Sequence, residues 1–311
     1  MNRVVIHVGL HKTATTFLQE VVFPDVKGFT YLTRPYTQLN HAFNTLQYAD
    51  DSLYNPGYLE KELLQFRDSN LLLSDESFSG KPTYFSYINR SQIAKRLNEH
   101  FPNAEIILFL RDQVDIMVSH YNSYVKMPYG VKKITNLFYK PGANFQFSDQ
   151  PEGLSTWDSS GIYYDTNDFY IHLDCFKYHC LVNLYKSLFD KVHIFTFEDL
   201  VHRPQLVQDK LKNIFEQDLA YEKSDAKNAS FTPNQLKLLR LTNNITYPLK
   251  SRIINAASRK VISGLPIKGK SNFNQLMDKF VGDYYQADNA LLKSQNPQLS
   301  WDQFPTKFSS N

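Results

Sequence analysis

Arg3-Val-Val-Ile-His-Val-Gly-Leu-His-Lys-Thr-Ala-Thr-Thr-Phe-Leu-Gln-Glu20 is the stretch on which the fold turns. Arg3 to Val8 reads as a strand, because Val4, Val5, Ile6 and Val8 make a nearly continuous β-branched run suited to a sheet buried on both faces. Gly9 breaks that run. From Leu10 to Thr16 the chain is expected to turn into an apolar helix carrying Phe17, Leu18, Val21 and Val22. A strand, a short Gly/Lys/Thr loop and a helix together make an anion site: free backbone N–H groups, a positive dipole end, the Lys12 charge and threonine hydroxyls. The loop is not a Walker A motif, which needs a second glycine just before its lysine. Here Lys12 follows Gly9 by three residues. Taken alone, the stretch is also compatible with an ordinary βα turn and a solvated lysine.

Downstream, short apolar strands alternate with helical patterns. Gly28 to Leu32 is expected to be a strand, and 37–67 helical, with a turn at Asn55-Pro56-Gly57. Leu71 to Ser74 reads as a buried strand ending in Asp75-Glu76. Ser91 to His100 is amphipathic, with Ile93, Ala94 and Leu97 inward. Glu105 to Leu110 is a strand that ends at Arg111-Asp112, and a helix follows with Val114, Met117, Val118, Tyr121 and Val125 at helical spacing. The segment 127–168 is aromatic and aperiodic, the pattern of an acceptor-side or lid region. Phe169 to Phe189 is expected to be one long helix, Val192 to Phe197 a strand, and Arg203 to Phe215 a helix opened by Pro204. This alternation predicts an α/β, P-loop-NTPase-like, doubly wound and mostly parallel sheet flanked by helices, with 1–311 forming a single domain. Ligands in such sheets sit at the C-terminal strand edges, where Lys12, Asp75, Glu76 and Arg111 all fall.

Composition narrows the class. In 311 residues, 42% hydrophobic and 14% aromatic content suffices for a large core, while a net charge of +3 is too mild to suggest a nucleic-acid partner. Cys175 and Cys180, the only two cysteines, make no disulfide framework. No signal-like segment and no apolar run of about 18 residues is present, so a cytoplasmic protein is expected. One asymmetry stands out. Between Asp225 and Asp278 there is no acidic residue, whereas Lys227, Lys237, Arg240, Lys250, Arg252, Arg259, Lys260, Lys268 and Lys270 are basic. Within it, Ser251 to Leu265 places Ile253, Ile254, Ala257, Val261 and Leu265 near one helical face beside Arg252, Arg259 and Lys260. That face suits either core packing or peripheral contact with a membrane surface through the basic stretch 250–270.

Two stretches together resemble the PAPS-dependent sulfotransferases. Gly9-Leu-His-Lys-Thr-Ala-Thr-Thr-Phe-Leu-Gln19 is similar to the loop that grips the cofactor's 5′-phosphosulfate. Ile106-Ile-Leu-Phe-Leu-Arg-Asp-Gln-Val-Asp-Ile-Met-Val-Ser-His-Tyr121 is similar to the strand–Arg–helix–Ser element that holds its 3′-phosphate. Gln113 stands where the family has proline, and Ile116 where it has arginine. More weakly, Val192-His-Ile-Phe-Thr-Phe-Glu-Asp-Leu200 resembles a late strand of the family. Lys268-Gly269-Lys270, with the segment 283–289, resembles the basic loop and helix of the heparan-sulfate, carbohydrate-sulfating branch.

The resemblance implies a transferase that moves a sulfuryl group from PAPS to an acceptor hydroxyl, of a saccharide or glycan, and releases PAP. Lys12 would stabilise the leaving group, and His11, Thr13, Ala14, Thr15 and Thr16 with the loop N–H groups would cradle the 5′-phosphate. Arg111 and Ser119 would read the 3′-phosphate, joined by Lys268, Gly269 and Lys270. The acceptor needs a general base. In the family a glutamate sits just past this strand, which favours Glu76; Ser74-Asp-Glu-Ser leaves the register open, so Asp75 and, on the loop, His11 are rivals. The alternatives are a small non-sugar acceptor, or a kinase or NTPase in which Leu71 to Glu76 acts as a Walker B strand holding Mg²⁺. His172, Cys175, His179 and Cys180 on one helix cannot close a tetrahedral metal site, and no metal is expected.

Overall fold

The structure, a computed structural model, describes residues 3–34, 40–80, 87, 89–127, 130–140, 171–221, 231–246, 252–267 and 272–299. Its strands are β1 (Val4–His7), β2 (Thr30–Thr33), β3 (Leu71–Ser74), β4 (Glu105–Leu110), β5 (Phe138–Tyr139), β6 (Ile171–His172) and β7 (Lys191–Thr196). The α-helices are α1 (Thr15–Phe17), α2 (Asn40–Tyr48), α3 (Pro56–Leu63), α4 (Arg90–His100), α5 (Gln113–Val125), α6 (Ile134–Leu137), α7 (Tyr178–Lys186), α8 (Phe197–His202), α9 (Pro204–Phe215), α10 (Pro233–Thr246), α11 (Arg252–Gly264), α12 (Phe273–Val281) and α13 (Gln286–Gln295). They group into two compact units. One is Met1–Asp112 with Phe176–Ser224 and Tyr285–Asn311; the other is Gln113–Cys175 with Asp225–Tyr284.

The first unit is built on a parallel five-stranded sheet in the order β2-β3-β1-β4-β7. Every residue of β1, β3 and β4 is buried, as their mostly Val/Ile/Leu sequences suit. On one face Val5, Leu72, Ile107, Phe109 and Phe195 pack against Leu18, Phe23, Val207, Leu211 and Phe215. From β1 the chain goes to β2 and β3 on one side, then crosses to β4 and β7 on the other. The winding therefore reverses at the carboxyl end of β1, where open α/β sheets place their ligands. The mostly parallel, helix-flanked sheet expected from the alternation is what forms.

His7 closes β1 inside this core. It is fully buried: Nδ1 lies 2.8 Å from the Ser74 hydroxyl, the ring is edge-on to Phe23 and Phe109, and Nε2 has no hydrogen-bond partner. Burial alone pushes its pKa down from 6.5 to about 3. Below pH 6.5 the unfolded chain therefore binds a proton that the native state refuses, so this stability is complete above pH 6.5 and falls on acidification. Chemical denaturation at pH 4.5 should show a loss of roughly 3 kcal/mol relative to pH 7 from this group. His7→Gln, which keeps a polar group beside Ser74, should flatten that slope; an unchanged slope would contradict the assignment.

In the second unit, α5 packs on α10 and α12, with Tyr121 edge-on to Phe273. Asn243 of α10 holds the end of α5 by donating to the carbonyls of Val125, Met127 and Gly130. A side chain at Gly130 would stand 2.3 Å from the Tyr124 carbonyl oxygen, so the chain closes there only on glycine. The short parallel pair β5–β6 completes the unit's regular structure. Among the described residues, no helix is long and apolar enough to cross a membrane.

Four expectations are corrected. Asn55-Pro56-Gly57 opens α3 rather than forming a free turn: Asn55 is the N-cap, its Oδ1 accepting from Gly57 N at 3.0 Å, with proline in the first turn. The long helix from Phe169 to Phe189 is β6, a 3₁₀ turn at Leu173–Phe176 and then α7. Ile171, Leu173 and Cys175 are buried while His172 and Asp174 are not, a period of two that the aromatic composition obscured. The late strand stops at Thr196, whose hydroxyl accepts from Asp199 N and caps α8, so Phe197 to Leu200 is helical. The helix after the first loop has one α turn, then a π segment at Leu18–Val22 and a 3₁₀ turn at Phe23–Asp25.

Candidate active site

The loop after β1 owes its shape to unusual backbone. Gly9 has φ 71°, and a Cβ there would lie 2.4 Å from the Glu76 Cα, so the loop lies directly on the chain leaving β3 and only glycine fits. Lys12 and Ala14 take left-handed φ of 72° and 66°, while Thr13 between them does not. Such alternation turns successive backbone N–H groups toward one point, the concavity that binds anions. Non-glycine residues pay about 1–2 kcal/mol each for that conformation, a cost concentrated at functional positions.

Its side chains divide the work. Thr13 and Thr15 are buried, and both hydroxyls donate to the Leu10 carbonyl, at 2.6 and 3.4 Å. These bonds help hold the loop closed, and the loop's other donors are its backbone N–H groups, the hydroxyl of the exposed Thr16 and the Lys12 ammonium. Arg111, just past β4, donates from Nη1 to the Lys12 carbonyl at 2.9 Å and lies 4.2 Å from the Phe197 ring centre. Register explains the pairing, since Leu110 stands opposite Thr196 in the sheet. Arg111 thereby braces the strained loop with a cation.

The adjacent acids are sharply distinguished. Asp75 is 1% exposed. Its Oδ2 accepts from Arg34 Nε at 2.7 Å and Gln47 Nε2 at 2.8 Å, and its Oδ1 from Ser77 N at 2.8 Å. It caps the 3₁₀ turn Glu76–Ser79. The Glu76 side chain is 43% exposed and places Oε1 3.7 Å from His11 Nε2 on the loop. One carboxylate is buried in structural hydrogen bonds, and the other is half-exposed beside the Lys12 loop and paired with His11. Gln19 ties the two edges together by donating to the carbonyl and hydroxyl of Ser74, both at 3.1 Å. The π segment carries this residue, and such bulges are frequent at functional sites.

Glu198, in α8, is a further acid at this edge. It accepts from Asp112 N at 3.0 Å, and burial pushes its carboxyl up to about 7, with Asp112 adding to the rise and Arg111 opposing it. Tyr178 donates to the Arg111 carbonyl at 2.6 Å. Arg34, Gln47, Gln19, Phe197 and Glu198 were not legible as site residues, since they meet Asp75, Ser74, Arg111 and Asp112 only through the fold.

Ser119 belongs to the second unit, half-buried in the second turn of α5. Lys268, Gly269 and Lys270, and residues 141–168 of the acceptor region, lie outside the described residues. Neither Cys175 nor Cys180 is in a disulfide, and Cys180 Sγ lies 3.6 Å from Asp288 Oδ1. His179, Cys180 and Asp288 bring potential ligand atoms within 4.8 Å of one another. Asp288 accepts there from the His179 backbone N–H, and Asn183 donates to the His179 ring, which accounts for the cluster as support for the first turn of α7.

No family model matches the chain, and no curated protein matches it. Among solved structures, a sulfotransferase from Alicyclobacillus acidocaldarius aligns at 14% identity and a TM-score of 0.45, over 86% of this chain and 98% of that one.

Proposed function

We propose that the protein is a PAPS-dependent O-sulfotransferase with a saccharide or other hydroxyl acceptor. The observation that carries this reading is the contact of Gly9 with Glu76, which sets a sign-alternating, lysine-bearing anion loop against a half-exposed carboxylate. PAPS, when bound, supplies the sulfuryl group and departs as PAP. The N–H groups of residues 12–14 and the Thr16 hydroxyl are assigned to its 5′-phosphate, and Arg111 to its 3′-phosphate. Lys12 balances the negative charge that develops on the leaving side, in a loop whose backbone is already in its final shape. Glu76 Oε1 takes the proton of the acceptor hydroxyl, with His11 beside it.

The buried state of Asp75 argues against the Mg²⁺-nucleotide alternative. A Walker B acid must face the phosphate loop, whereas this one is turned to Arg34 and Gln47. The test is transfer of label from ³⁵S-PAPS to a panel of saccharide and small hydroxyl acceptors in EDTA. Metal-independent transfer supports the proposal. ATP turnover that requires Mg²⁺, with no transfer from PAPS, would overturn it.

A further inference from the structure

The second unit carries an apolar surface that its own fold does not use. Gln235, near the start of α10, donates to the carbonyls of Ile262, Ser263 and Leu265 at the end of α11, so the two helices run antiparallel. Ile262 is the buried aliphatic residue of α11. Of the other aliphatic stripe, whose packing was one of the two outcomes open from sequence, Leu265 is half-buried and the rest is exposed among the described residues. Ile253 is 82% exposed and Val261 64%, with exposed Ala257 between them at four-residue spacing, and Ile254 is exposed alongside. On α10, Ile245 is 72% and Leu241 55% exposed, again four apart. Single exposed aliphatics are ordinary, but a repeated row on each of two packed helices is more than that and calls for an occupant.

Charge selects the occupant. No acidic residue occurs in 226–277, and both helices present lysine to solvent, Lys237 on α10 and Lys260 on α11. A polyanionic sugar chain would match the charge but has no use for isoleucine and valine. A second copy of the same face would match the aliphatics but oppose lysine to lysine across a twofold interface. An anionic bilayer surface accepts both, with aliphatics entering the acyl boundary and lysines remaining among the headgroups. We infer that the α10–α11 face docks on anionic lipid surfaces, holding the protein peripherally at a membrane. This inference is independent of the proposed reaction.

The test is cosedimentation of the full chain with phosphatidylcholine vesicles, with and without phosphatidylglycerol. Binding is expected only to the anionic vesicles and should weaken as salt rises. Ile253→Asp with Val261→Asp should reduce it by about tenfold or more, as should Lys237→Glu with Lys260→Glu. All four side chains are exposed, so thermal melts should be unchanged, and a melt that shifts moves the test to single substitutions. Equal binding to neutral vesicles, binding to neither, or binding unaffected by the aliphatic substitutions would overturn the inference. So would retention on heparin without vesicle binding, or a dimer in sedimentation velocity that Ile253→Asp dissolves.

Discussion

Glu76→Gln is expected to lower turnover by about 10²–10⁴-fold, the usual contribution of a positioned general base, while leaving PAP affinity and the melting temperature close to wild type. The expectation follows from exposure: the Glu76 side chain is 43% exposed and meets His11 only at 3.7 Å, so an amide of the same shape costs the fold far less there than at Asp75. Asp75→Asn should behave in the opposite way. It breaks a buried set of contacts to Arg34, Gln47 and Ser77, and should cost on the order of 2 kcal/mol in stability. Steady-state transfer rates, PAP titration and melts of both variants measure this. If Asp75→Asn loses catalysis at full stability while Glu76→Gln stays active, the roles are reversed.

Lys12 gives the second large effect. Removing its ammonium should cost about 10²–10³ in rate, as loss of one preorganised donor to a developing charge does. Its left-handed backbone makes glycine the informative substitution. Lys12→Gly relieves the steric cost of that conformation, so stability should change by no more than about 1 kcal/mol in either direction. The rate should fall as far as in Lys12→Ala. A glycine variant that retains activity would mean that position 12 matters for loop shape and not for charge.

The sheet and loop were legible because they depend on local pattern. Nearly continuous apolar runs from Val4, Leu71 and Glu105 onward suit parallel strands covered on both sides, and Gly9 marked where the first of them ends. The choice between Asp75 and Glu76 was not legible. Adjacent residues leaving a strand diverge, and which one is buried is decided by Arg34 and Gln47, some 40 and 28 positions earlier in the chain. Thr13 and Thr15 looked like ligand donors by residue type, but a carbonyl three to five residues back competes for their protons and holds them. Phe197 and Glu198 lie in the late segment 192–200 that resembles a family strand, but nothing in it marked them as site residues. They reach Arg111 and Asp112 because β4 and β7 are in register, a fact that no segment of sequence contains. The segment from Ile171 to Cys175 failed for another reason: its period of two is too short to stand out beside α7.

The most direct test of the account is calorimetric titration with PAP and with AMP, which differ only in the 3′-phosphate, against wild type and Arg111→Ala. Charge-assisted hydrogen bonds of about 1.5–3 kcal/mol each predict that wild type prefers PAP by about 10²-fold or more, and that Arg111→Ala loses most of this preference while still binding AMP. Equal wild-type affinity for PAP and AMP, or an Arg111→Ala protein weakened equally toward both, would contradict it. Arg111 would then be a brace for the Lys12 loop and nothing more.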